Sequence, residues 1–110
     1  MNKHWVDAIS HHEREVAELQ ADRDLAVESL KAAMQSLDDP TDRPAGLLAL
    51  RSIAEAHGGL GAVAADAGIS RESLFRALSP TGNPTLKTLL AVLKTDGMRL
   101  AVEPERRAAA

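Results

Sequence analysis

The 110-residue sequence has no cysteine and no tyrosine, and only one tryptophan and one phenylalanine. Without cysteine there is no disulfide and no thiolate chemistry, which fits a reducing cytoplasm. Aromatic residues at 2% within a hydrophobic fraction of 45% leave a core of aliphatic and alanine side chains. Such small residues suit closely packed helices better than a sandwich of sheets. No apolar run approaches the ~18 residues that mark a membrane span, and the N-terminus lacks a basic-then-apolar leader. Neither membrane insertion nor secretion is therefore expected. The length bounds the chain to one domain with a modest core.

Glycine and proline are missing from Trp5 to Leu37, where good helix formers dominate. Ile9, His12, Val16, Leu19, Arg23, Ala26, Leu30, Ala33 and Leu37 recur at three- and four-residue steps, a heptad seam of about four repeats. The pattern predicts one long helix, or two nearly continuous ones. Two uses stay open: self-association, with Ile9, Val16, Leu19 and Leu30 at the dimer seam, or an amphipathic helix folded back over the chain's own core. Asp38-Asp39-Pro40 ends this segment, because a residue before proline is pushed out of the helical region. Residues 1–39 are thus read as a long N-terminal element.

Residues 40–103 carry the denser pattern. Leu47, Leu50, Ile53 and Ala54 share a face of a helix predicted from Leu47 to His57, which Gly58-Gly59 stops. The stretch from Leu60 to Leu78, LGAVAADAGISRESLFRAL, then reads as two short helices and a tight turn. Leu60, Val63, Ala64 and Ala67 form one buried face. Gly68 stands where a chain leaving a helix needs a left-handed residue, and Ser70 is a good N-cap. Leu74, Ala77 and Leu78 face inward, leaving Ser70, Arg71, Glu72, Ser73 and Arg76 outward. A small residue at the crossing, glycine at the corner and a polar second helix are the steric demands of a helix-turn-helix. A short polar helix with two arginines suits the DNA major groove.

The turn-rich run Ser79 to Pro84 follows, then a helix from Leu86 to Asp96 capped by Thr85. Met98, Leu100 and Val102 alternate with Arg99, Ala101 and Glu103, predicting one half-buried strand. A lone strand leaves its backbone unpaired, so it must pair with another chain, which places Leu100 and Val102 at an interface. Residues 104–110 are read as a loose tail. The expected architecture is mainly α: a helix-turn-helix domain of four to five helices, a long N-terminal helix and one inter-chain strand.

The net charge is −3. Its distribution matters more than its total. The first 39 residues carry a balance of −5, whereas the segment from Gly59 to Lys87 carries +1. A weakly basic reading helix implies modest affinity per subunit and a need for dimerisation. Chemistry of other kinds finds no frame. His11 and His12 point about 100° apart on a helix and do not converge on one ion, and His57 stands alone. No phosphate loop and no nucleophile–base pair is recognisable. No metal, no cofactor and no enzymatic activity are expected.

The run from Gly59 to Pro104 resembles the HigA-like putative addiction module antidote proteins, within the lambda-repressor/Cro class of helix-turn-helix proteins, and the resemblance covers about Asp22 to Pro104. The resemblance is strongest in Gly68-Ile69-Ser70-Arg71-Glu72-Ser73-Leu74, Ala77-Leu78-Ser79, Gly82-Asn83-Pro84-Thr85 and Met98-Arg99-Leu100-Ala101-Val102-Glu103-Pro104. It implies a cytoplasmic antitoxin that binds double-stranded operator DNA as a homodimer, represses its own operon, and binds a small RelE/ParE-type toxin. Carried over by position, Ser70, Arg71, Ser73 and Arg76 meet DNA, with Glu72 on the same helix, and the helix beginning at Leu86 lies near the backbone, with Lys87 on a phosphate. The sequence departs from the family where a hydroxyl and a glutamine usually bind phosphate; Gly61 and Ala62 stand there. The first twenty or so residues also exceed the usual short N-terminus. A second reading stays open on these grounds: a protein–protein module, neutralising a toxin or assembling a complex, with little DNA binding of its own.

Overall fold

Asp22 interrupts the long N-terminal helix. The computed structural model describes residues 3–105, with side chains described from His11 onward. In it Asp22 takes an extended conformation (φ −123°, ψ 102°) and its side chain accepts from the Leu25 N–H at 3.0 Å. A carboxylate at this position satisfies a free amide of a new helix, which is how an aspartate stops one helix and starts another without glycine or proline. The result is α1 (Lys3–Ala21) and α2 (Arg23–Ser36).

Helix α3 (Arg43–Ala56) is the element around which the others pack; α1, α2, α4 and α6 all contact it. It begins earlier than the Leu47 start expected from its apolar face, with Pro44 in its first turn. Proline is tolerated there because a first-turn amide has no intrahelical partner to lose. Helices α4 (Gly59–Ala67), α5 (Arg71–Ala77) and α6 (Leu86–Thr95) follow. Among the described residues the count is six helices, against an expected four to five.

One continuous core joins all six. Leu47, Leu50, Ile53, Val63, Leu74, Leu78 and Val92 are essentially fully buried, and Leu19, Ala26, Leu30 and Ala33 belong to the same cluster. This decides between the two uses of the N-terminal seam for the residues described. Leu19 and Leu30 are only 5% and 1% exposed and are packed inside their own chain, with Val16 half-buried against them. They form part of this core rather than an open dimer seam, since a three-and-four periodicity marks a buried stripe without saying whose surface buries it. Ile9 lies outside the described side chains. The polar seam residues take specific partners: His12 Nε2 lies 2.7 Å from Glu55 on α3, and Arg23 Nη2 donates to the Asp96 carbonyl at 3.2 Å.

The C-terminal strand is not formed in the single chain. Among the described residues there is no strand, and residues 98–105 have no regular secondary structure. A strand needs a neighbour for its backbone groups, and this fold supplies only helices. Leu100 is 48% and Val102 96% exposed as a consequence.

Candidate nucleic-acid interface

Helices α4 and α5 meet at a corner built by three residues. Gly68 ends α4 in the left-handed region (φ 71°). The Ile69 N–H bonds back to the Ala64 carbonyl at 3.0 Å, a six-residue loop closure that satisfies the end of α4. Ser70 then opens α5, its Oγ accepting from the Ser73 N–H at 3.0 Å. Leu74 is fully buried beneath, so the seven-residue α5 is fixed from below and capped from its start.

The residues that open α5 are bonded among themselves. Ser70 donates from its hydroxyl to Ser73 Oγ at 2.9 Å, and Arg76 Nη2 lies 3.5 Å from the same oxygen. The two serines are therefore engaged with each other and with the cap. Arg71, Glu72 and Arg76 are exposed, as expected. The addition is Phe75, 46% exposed on the same stripe. Positions 71, 72, 75 and 76 follow the one- and four-residue steps of a single helical face. That spacing is the signal in the sequence that points to Phe75.

Arg51 on α3 holds that ring. Its guanidinium carbon lies 4.0 Å from the Phe75 ring centroid, and its Nε donates to the Leu78 carbonyl at the end of α5 at 3.2 Å. One side chain thus anchors the aromatic face by a cation–π contact and satisfies a free carbonyl of the same helix. Arg71, Glu72, Phe75 and Arg76 border a shallow hollow of about 500 Å³ with Leu60 and Glu55 behind it. Lys87, in the first turn of α6, is exposed, and a Cβ placed on Gly68 would lie 3.1 Å from its ammonium. The fold therefore brings Lys87 over the corner, although the two lie far apart in sequence.

Thr85 caps α6 by accepting from the Thr88 N–H at 3.1 Å. At the far end of α6, Asp96 is 4% exposed, with His57 Nδ1 2.8 Å from its Oδ1. That approach lacks hydrogen-bond alignment, and Asp96 Oδ2 has no partner. Burial pushes the Asp96 carboxyl above the ordinary 3.8, against the opposing pull of His57 and Arg23. His57, which the sequence left alone, is half of this contact. Among the described residues no group of histidines and carboxylates could hold a metal ion, and no helix is long and apolar enough to cross a membrane.

These features define a class: a small helical protein that presents a capped, positively flanked helix beside a glycine corner. The family model of the probable addiction module antidote proteins matches residues 11–104, and the chain belongs to that family. An uncharacterised protein of Haemophilus influenzae is 47% identical over 60 residues, which span 54% of this chain and 61% of that protein. The chain thus covers about three fifths of this relative's length. No solved structure matches the chain.

Proposed function

We propose that this protein is a DNA-binding antitoxin of the lambda-repressor/Cro helix-turn-helix type, repressing its own operon as a homodimer. The observation that carries the reading is the outward stripe of α5. A helix short enough to enter a major groove presents Arg71 and Arg76 at its surface while its N-cap, corner and underside are fixed by hydrogen bonds and Leu74. Arginine pairs with guanine O6 and N7 or with phosphate, and a rigid scaffold makes either contact selective. Lys87 supplies a phosphate contact beside the corner. Ser70 and Ser73 hold the start of α5 and keep hydroxyl capacity for short-range contacts to DNA, since Ser73 Oγ only accepts within the chain. The protein works by binding and carries out no chemical step, in the cytoplasm.

The family supports a toxin partner. A small basic ribonuclease-like toxin of the RelE/ParE type complements the balance of −5 in the first 39 residues. A second reading, toxin neutralisation with little DNA binding, draws on the same acidity and on Gly61 and Ala62 at the usual phosphate-binding positions.

Gel-shift titration of the DNA upstream of the gene separates the two. Arg71→Ala or Arg76→Ala is expected to cost about 1–3 kcal/mol of binding where the residue reads a base. A phosphate contact would weaken all sequences alike and lower the salt slope. Unaltered operator binding in the double variant rejects the assignment.

A further inference from the structure

The segment after α6 carries a pattern that its own chain leaves unused. Met98 N–H bonds back to Leu93 O at 2.9 Å, and Met98 is half-buried on the core. Beyond it, Arg99 to Glu103 are exposed and outside any regular element. The segment borders an open hollow of about 960 Å³, whose opposite wall is α2 at Lys31, Met34 and Gln35. An apolar pair, Leu100 and Val102, sits between one positive and one negative charge, Arg99 and Glu103.

We infer that this hollow receives the same segment of a second copy, paired antiparallel about a two-fold axis through Ala101. The inference rests on the dimer reading above and adds its register. In an antiparallel pair, residues directly opposite point to the same side of the ribbon. Centred on Ala101, Arg99 of each copy faces Glu103 of the other, and Leu100 faces Val102, so both charge pairs and both apolar pairs occur twice. Centring on Leu100 sets Arg99 against Ala101 and Gly97 against Glu103. Centring on Val102 sets Arg99 against Glu105 but Glu103 against Ala101 and Leu100 against Pro104, so the apolar pair is lost. Both alternatives keep the apolar side chains on one face, but Leu100-centred pairing needs Met98, which is packed on its own core, opposite Val102. Only the Ala101 register gives doubled charge pairs and doubled Leu100–Val102 pairs together. Pro104, which has no N–H to give, falls at the end of the ribbon in the favoured register.

The native chain has no cysteine, so an Ala101→Cys variant has one possible disulfide partner: the same position in a second copy. Opposed residues of an antiparallel pair stand roughly 4.5–5.5 Å apart at Cα, within disulfide reach. Mild oxidation of the full-length variant is expected to give a covalent dimer on a non-reducing gel. Arg99→Glu alone and Glu103→Arg alone each place like charges opposite one another twice, and each is expected to weaken self-association by about tenfold. Mixing the two single variants restores opposite charges at both positions, so they should form a heterodimer at wild-type concentrations, seen by mass photometry or native mass spectrometry. A dimer that ignores the charge reversals, or an Ala101→Cys variant that stays uncrosslinked, overturns the register while leaving the dimer standing. A wild-type chain that stays monomeric overturns both.

Discussion

Asp96 lies 4% exposed at the end of α6, between His57 and Arg23. Burial is the largest influence on its carboxyl and raises its pKa above 3.8 in the folded state. The folded protein therefore holds that proton more tightly than the unfolded chain does. The stability this contributes is present below about 3.8 and is lost as pH rises through the folded value. Asparagine keeps the backbone carbonyl that Arg23 uses and removes the titration. Urea unfolding between pH 3 and pH 6 should show Asp96→Asn gaining stability relative to wild type as pH rises; a difference that is flat or falls with pH contradicts the assignment. Two glycines give opposite expectations at the same scale. Gly68 has φ 71°, so Gly68→Ala should cost about 1–2 kcal/mol. Gly61 lies in a helix, and a Cβ there meets nothing within 4 Å, so Gly61→Ala should gain about 0.5–1 kcal/mol by thermal unfolding. Residue identity in the sequence marks Gly68 and Ser70 correctly because each has a local steric or hydrogen-bonding reason. Phe75 and His57 escape it, because their exposure or pairing depends on Arg51 and Asp96, which the fold brings in from other helices.

At the scale of elements, the caps carry much of the local specification. Ser70 and Thr85 each accept an amide three residues on, and replacing either by alanine should cost about 1 kcal/mol in chemical denaturation. Ser70→Ala should also weaken DNA binding, because it loosens α5 where the reading face begins. Thr85→Ala should affect stability more than binding. Helices α3 to α6 are legible in the sequence because apolar periodicity and turn residues agree along that stretch. The break at Asp22 is harder to see: an aspartate in a run of helix formers signals a cap only if the backbone departs there. Periodicity also left open whether Leu19 and Leu30 meet a partner or their own core, and burial within the chain answers that for the residues described. The alternation from Met98 to Glu103 remains a pattern without a ladder, because every other element in reach is a helix.

For the whole molecule, charge and symmetry set the limits on function. If the proposed DNA binding holds, a chain of net −3 has no broad field to draw it to DNA, so the local arginines and doubling of the site would have to supply affinity. Binding should then depend strongly on protein concentration, with a salt slope set by the few phosphate contacts, and a monomeric variant should lose most of it. Under the proposed function, the acidic N-terminal segment is free for a basic partner while α5 faces DNA, a division of surfaces that would allow both at once. The most direct measurement is a footprint of the purified protein on the DNA upstream of its own gene at low salt. The account predicts two protected half-sites about one helical turn apart, roughly 10–10.5 base pairs centre to centre, with both lost together in the Arg71→Ala, Arg76→Ala double variant. Absence of any protection at low salt, or protection that the double variant retains in full, would contradict it.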